Sequence, residues 1–97
     1  MLVHVLDHVP QCYSADDGAV IASVLRGALN RNTNVILSFD GVADVPSSFI
    51  NAALVSLLDD FSFQKIRAIV SIVDANAQIG EMVHRCFANA ERHFAAA

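Results

Sequence analysis

Two adjacent serines, Ser47 and Ser48, lie where polar chemistry meets a change in local structure. They follow Asp40, Asp44 and Pro46 and stand between two strongly apolar stretches. Carboxylates beside hydroxyls can bind a cation or orient a hydroxyl, although a Ser-His-Asp arrangement would need a histidine from a distant part of the chain. Because a helix N-terminus carries donor groups and partial positive charge, a serine there also tolerates a phosphate. The simpler alternative is that one hydroxyl only caps a helix, and we expect Ser47 to be the cap.

The remaining histidines, cysteines and carboxylates do not suggest a second site. His4, His8 and Cys12 are four residues apart, but Pro10 interrupts any helix that would align them as metal ligands. The glycines are spread along the chain and form no phosphate-binding loop. We therefore expect no catalytic residue, no metal and no cofactor. The other candidates lie on predicted helices or near their ends. The adjacent aspartates Asp16 and Asp17, and Asp59 and Asp60, point in different directions, so neither pair forms an acid/base couple. On the last helix Cys86 is expected in the core, and His84 and His93 are expected to face solvent.

The apolar pattern predicts three strands that alternate with three helices. We place the strands at residues 2–6, 35–39 and 66–73. We place the helices from a Ser14–Asp17 capping box to Asn30, from about Ser47 to Asp60, and from a cap at Asp74 or Asn76 onward. The middle strand is apolar almost throughout, so we expect both of its faces to be buried. The last helix should pack one apolar face against the core. The residues of that face are Ile79, Met82, Val83, Cys86, Phe87, Ala90 and Phe94.

This alternation predicts an α/β fold with a small, at least partly parallel sheet in βαβαβα order. Parallel neighbours need crossovers about as long as these helices. The 97 residues suit one hydrophobic core, so we expect a single domain over residues 1–97. In such sheets sites gather at the carboxyl ends of the strands, and the two serines follow the end of the second strand.

Composition narrows the classes of partner. The six Lys and Arg residues are scattered and the formal net charge is −4, so we expect no nucleic-acid binding. The opening MLVHVLDHV lacks a basic start and contains Asp7, which predicts neither a signal peptide nor a membrane span. We expect a cytoplasmic protein with reduced thiols. The 55% hydrophobic content leaves apolar surface that a homo-oligomer could share.

The stretch FDGVADVPSSF resembles a segment of STAS domains, the fold of bacterial anti-sigma factor antagonists. In those domains a hydrophobic strand leads through an acidic residue and a short turn to a serine-bearing helix start. The layout is more closely similar to a STAS-like domain family of uncharacterised bacterial proteins. The similarity covers residues 14–75 in layout and is most specific over residues 35–54. The positions that carry it are Phe39, Asp40, Gly41, Val42, Ser48, Phe49, Ile50 and Asn51.

This resemblance implies a role for the serines. In STAS antagonists a serine at that helix start is phosphorylated by a partner kinase, which is also the anti-sigma factor, and the phosphate breaks the complex. By position Ser48 matches that serine and Ser47 precedes it. Here Pro46 replaces the usual acidic residue and Phe49 replaces the usual glycine, so the resemblance supports the fold and the binding surface more than the switch.

We therefore expect a non-enzymatic regulatory domain that binds a protein, for which a kinase-like anti-sigma factor is one candidate. Ser48, or Ser47, is the expected phosphorylation site. A constitutive adaptor or homo-oligomerisation domain without a switch is the alternative, and an enzyme would instead require a pocket of convergent polar groups. The residues expected to bind the partner are Asp40, Gly41, Asp44, Ser47, Ser48, Phe49 and Asn51.

Overall fold

The strands lie in chain order in a fully parallel sheet. A computed structural model describes the backbone of residues 1–96 and the side chains of residues 1–91. Within it the sheet order is β1-β2-β3, formed by Leu2–His4, Val35–Ser38 and Val70–Val73. Both neighbouring pairs are parallel, with His4 opposite Ser38 and Ser38 opposite Val73. The predicted α/β class is confirmed, and the sheet is parallel throughout rather than in part.

Helices separate and follow these strands, and they bury one face of the sheet. From that layer Ile21 and Leu25 of the second helix, Ile50 of the third and Ile79 of the last join the core. Within the described backbone, no helix is long and apolar enough to cross a membrane. The helices are α1 (Val5–His8), α2 (Ala15–Asn30), α3 (Ser47–Ala53), a 3₁₀ helix (Val55–Asp59), α4 (Phe63–Ile69) and α5 (Ala77–Ala96).

Side-chain caps begin two of the helices as predicted. The Asp17 N–H donates to Ser14 Oγ at 3.2 Å at the start of α2. The Asp17 carboxylate accepts from the Tyr13 N–H at 3.3 Å rather than from the cap residue itself, so the capping box is shifted by one residue. At the start of α5, Asn76 Oδ1 accepts the Ile79 N–H at 3.0 Å, which selects Asn76 over Asp74 as the cap. The side chains of His93 and Phe94 lie outside the described residues.

The first and third predicted strands are too long. β1 ends at His4, opposite the end of β2, and the chain then coils into α1, which places Val5 in the core. The predicted strand at residues 66–73 is α4 followed by the four-residue β3. Ser62 caps α4 by accepting the Lys65 N–H at 3.1 Å, and Ile66 and Ile69 then face the core from one side of a helix. A short apolar run does not distinguish these two conformations by periodicity.

The predicted helix at residues 47–60 is interrupted. α3 ends at Ala53, Leu54 leaves the helical region with φ −121° and ψ −52°, and a 3₁₀ helix follows. In that tighter geometry residues three apart lie on one side, so Leu54 and Leu57 both reach the core. At the end of this helix Asp60 forms an ion pair with Arg26 of α2, which also donates to the Ser56 carbonyl at 3.1 Å.

The prediction that β2 is buried on both faces is wrong. Leu37 is 0% exposed, whereas its neighbour Ile36 is 43% exposed. Ile36 lies between Leu2 of β1 and Ser71 of β3 on the face of the sheet opposite the helices, and both of these neighbours are exposed too. Three-layer packing would cover that face, but here the helices lie on one side.

Candidate functional site

The turn at the carboxyl end of β2 depends on a glycine. The Val42 N–H donates to the Phe39 carbonyl at 3.0 Å, and Gly41 between them has φ +83°, a conformation that costs a side chain strain. A Cβ added to Gly41 would also stand 3.1 Å from Leu6 Cδ1 of α1. Gly41 therefore lets the chain reverse tightly beneath α1.

A buried serine ties the ends of β2 and β3 together. Ser38 is 1% exposed, and its Oγ donates to Asp74 Oδ2 at 2.7 Å while accepting the Asp40 N–H at 3.2 Å. Asp74 holds a left-handed conformation with φ 57°. This role of Ser38 was not predictable from its position inside an apolar run. A single polar residue at the end of a buried strand was the available signal.

Two side chains from the start of α5 hold the loop that leads to the serines. Gln78 pairs with both backbone groups of Val45: its Oε1 accepts the N–H at 3.0 Å and its Nε2 donates to the carbonyl at 3.0 Å. Asn76 Nδ2 donates to the Ala43 carbonyl at 2.6 Å while Asn76 also caps α5. Sequence reasoning missed this clamp, since its bonds join residues 33 positions apart.

The prediction that Ser47 caps α3 is wrong, because Pro46 occupies the cap position. Pro46 is extended, with φ −81° and ψ 163°, and its carbonyl accepts the N–H groups of Phe49 at 3.2 Å and Ile50 at 3.4 Å. Ser47 and Ser48 are thus the first and second residues of the helix, and the cap residue makes no side-chain hydrogen bond to it. Both serines are exposed.

Six of the seven expected partner-binding residues share one exposed stretch. The buried exception is Phe49, which together with Ile50 is 0% exposed and anchors α3 in the core. The side chain of Phe49 thus supports the site from beneath rather than facing a partner. We call the exposed set the 40–51 surface: Asp40, Gly41, Asp44, Ser47, Ser48 and Asn51.

The two serines differ in their surroundings. Ser47 and Asn51 line one wall of an open cleft of about 540 Å³ between α3 and α5, and Arg85 and Asn89 line the other. The Arg85 guanidinium pairs with Glu81 at 3.1 Å along α5. Ser48 is not among the residues that line this cleft. A group attached to Ser47 would therefore meet α5, whereas one on Ser48 would meet solvent or a partner.

Burial makes both cysteines poor nucleophiles. It raises the pKa of the Cys12 thiol to about 11, with a further contribution from the nearby Asp17 carboxylate. Burial also raises the pKa of Cys86, against the opposing effect of Arg85. Both thiols are therefore protonated at neutral pH. Among the described side chains, no group of three or more His, Cys, Asp or Glu residues is placed to hold a metal ion.

Comparison with known proteins agrees with this architecture. A family model described as a STAS-like domain of unknown function (DUF4325) matches residues 19–79, more than half of the chain. The match runs from α2 to the start of α5 and includes the 40–51 surface. Neither the curated proteins nor the solved structures provide a match. The resemblance inferred from the strand, turn and serines is confirmed, and the chain belongs to the STAS-like domain family of unknown function.

Proposed function

We propose that this domain is a non-enzymatic regulatory module that binds another protein through the 40–51 surface. The observation that carries the proposal is the exposure of Ser47 and Ser48 at the start of a helix whose next two residues are fully buried. The hydroxyls are free to meet a partner or a kinase, while the helix beneath them is held in the core.

The clamp from α5 supports this proposal, because it shapes the surface before any partner arrives. Asn76 and Gln78 bind the loop backbone at Ala43 and Val45, immediately before the serines. An ordered loop loses little conformational freedom on binding, so more of the contact energy appears as affinity.

Phosphate on Ser48 would lower the affinity for the partner. It adds nearly two negative charges to a loop that already carries Asp40 and Asp44. No Lys or Arg occurs between residues 32 and 64, so this segment supplies no cation of its own to neutralise them. A partner that covers the dephosphorylated surface would have to desolvate this added charge, which costs free energy unless the partner places a cation against it. Since Phe49 and Ile50 anchor α3, the phosphate would change the surface without unfolding the helix.

A constitutive adaptor is the second candidate. Pro46 and Phe49 replace the acidic and small residues that flank the matching serine in STAS antagonists, which favours partner binding without a kinase. The exposed side chains of Leu2 and Ile36 also give the open sheet face an apolar character that a second copy could cover.

The test is a capture experiment followed by a binding measurement. Wild type, Ser48→Ala, Ser48→Asp and the control Ser23→Asp, an exposed serine on α2, serve as baits in lysate from the source cell. Mass spectrometry identifies the bound proteins, and the affinity of the purified partner is then measured for each bait. We expect Ser48→Asp to weaken binding at least about tenfold, or roughly 1.4 kcal/mol, with the other two variants like wild type.

The other outcomes are equally informative. Equal affinity for all four baits would contradict the phosphorylation switch and leave the constitutive adaptor. The adaptor does not require a kinase-like partner. Failure of every bait to retain a protein would contradict binding through the 40–51 surface.

A further inference from the structure

A second surface, away from the serines, lies beside the outer strand of the sheet. α4, β3 and α5 enclose an apolar groove of about 260 Å³. Its size is just below that of typical small-molecule pockets, about 300–1,000 Å³, and it suits one or two apolar side chains. The residues that define it are Phe63, Ile66, Arg67, Ile72, Val83 and Phe87.

The core is incompletely covered at this groove. Leu37 of β2 is 0% exposed, but Ile72, its register partner on β3, is only partly buried on the same face. Phe63 is 43% exposed, although its ring lies 5.2 Å from that of Phe87 across the groove. The helices therefore cover β3 at Val70 but leave it partly uncovered at Ile72.

The outer edge of β3 is also unpaired. Among residues 1–96 this strand pairs with β2 alone. The Val73 carbonyl accepts the Phe39 N–H at 3.1 Å and thus points toward β2, so the N–H and carbonyl of its neighbour Ile72 point to the free edge. Free edges are usually protected by charged residues or proline, and Val70–Val73 contains neither.

We propose that this edge and groove bind an extended segment of a partner protein as a fourth β-strand, with an apolar side chain in the groove and a carboxylate nearby. Main-chain hydrogen bonds to an edge strand, together with a pocket for alternate side chains, are the features of strand addition. The 40–51 surface contributes no residue to this site, so the proposal does not depend on the serines.

The charged side chains of the groove indicate which kind of segment binds there. Arg67 and His84 line the groove, and neither forms an ion pair with a carboxylate among residues 1–91, where the pairs join Arg26 to Asp60 and Arg85 to Glu81. An acidic segment would supply the missing partner. A second copy docked through the same edge would bring one cationic groove against another, which disfavours self-association here.

The test starts from a phage library of random linear peptides selected on the wild-type protein. We expect enriched sequences to alternate apolar residues with others and to include Asp or Glu. Fluorescence anisotropy of labelled peptides should show at least tenfold weaker binding by Gly80→Leu and by Arg67→Glu. Gly80 lines the groove, and a Cβ there meets no atom within 4 Å, so this variant adds an apolar side chain at the groove without a clash at its Cβ.

Matched controls separate the groove from general effects of substitution. Gly27→Leu places the same residue on α2, where a Cβ makes only an ordinary 3.8 Å contact with Arg31, and Arg31→Glu reverses an exposed charge elsewhere. Both variants should bind like wild type. Hydrogen exchange at the Ile72 amide should slow when peptide binds, and peptides with alternate N-methylated backbone nitrogens should not bind.

Four results would overturn the proposal. They are the absence of any enriched peptide, a preference for basic sequences, peptide binding that Gly80→Leu leaves unchanged, and a wild-type dimer in light scattering that Gly80→Leu dissociates. The last of these would assign the groove to a second copy of the chain.

Discussion

At the residue scale, the environment of a side chain decides its chemistry more than its type does. Cys12 is a thiol that burial keeps protonated, and Ser38 is a hydroxyl committed to two hydrogen bonds. Ser47 and Ser48 are adjacent and both exposed, yet only Ser47 lines the cleft against α5. Residues of the same type thus have different surroundings here.

The raised pKa of Cys12 predicts a loss of stability in alkaline solution. The thiol ionises near its ordinary value of 9.0 in the unfolded chain but at about 11 in the folded chain. Below pH 9 both states are protonated and the stabilisation is fully present. As pH rises from about 9 toward 11, the unfolded state releases a proton that the folded state retains, so the free energy of unfolding falls.

Urea unfolding of wild type and Cys12→Ala between pH 8 and pH 11 measures this effect. Because other groups titrate in the same range, the comparison is between the two pH slopes, and we expect a shallower decline in Cys12→Ala. Parallel slopes would contradict the assigned pKa.

The residues of the candidate site were only partly predictable from the sequence. Turn-prone residues after an apolar run located the loop and the exposed serines, because those signals are local. The cap was assigned to Ser47, since the sequence does not show that Pro46 is extended and that its carbonyl starts the helix. Gln78 and Asn76 were missed as loop ligands because their partners are distant in the chain.

At the element scale, α2 and α3 approach each other closely at Gly18. A Cβ there would lie 2.5 Å from the Phe49 carbonyl oxygen and 2.8 Å from Ala52 Cβ, closer than real Cβ atoms come. We expect Gly18→Ala to push α3 away and to lower the free energy of unfolding by about 1–3 kcal/mol, as overpacking does. Chemical denaturation measures the change.

Gly27→Ala, on the same helix, is the matched control. Its added Cβ makes no contact closer than 3.8 Å, and alanine favours helix over glycine by about 0.8–1 kcal/mol, so this variant should be stabilised. A destabilisation of similar size in both variants would argue against close packing at Gly18.

The clamp between α5 and the loop predicts a second element-scale effect. Gln78→Ala leaves both backbone groups of Val45, a residue only 2% exposed, without their side-chain partner. An unsatisfied buried group costs about 1–3 kcal/mol, so stability should fall by roughly that amount. Hydrogen exchange at the Val45 amide should also accelerate, which would show that the loss of stability arises at the loop.

Gln64→Ala provides the comparison, because Gln64 is exposed and is likewise the second residue of its helix. It should change stability little and leave exchange at Val45 as in wild type. Unaltered Val45 exchange in Gln78→Ala would show that the loop is held by other contacts.

The elements themselves were predictable where a long periodic pattern or a cap defined them, as in α2 and the start of α5. The boundary between α4 and β3 was not, because the apolar run at residues 66–73 suits either conformation over so few residues. Only tertiary packing, which turns Ile66 and Ile69 inward from a capped helix, resolves it. The helix predicted from Ser47 to Asp60 is likewise interrupted at Leu54, and Leu54 and Leu57 both reach the core.

At the scale of the whole molecule, the helices cover one face of the sheet and leave the other open. We expect Leu37→Ala, on the covered face, to lower the free energy of unfolding by about 2–5 kcal/mol. Ile36→Ala, one position away on the open face, should cost less than about 1 kcal/mol, near the span of strand propensities. Denaturation of both variants measures the difference. Comparable losses would indicate that the open face is covered in solution.

The strand order has a consequence for how the fold could grow. Each strand lies beside the preceding strand of the chain, and the helices that connect the strands pack on the same face of the sheet. A fourth strand added in the same direction would lie beside β3, where Ile72 has its free backbone groups and a partly buried side chain. A strand donated by a partner at this edge would therefore occupy the position that a fourth strand of this fold would take, although it belongs to a second polypeptide.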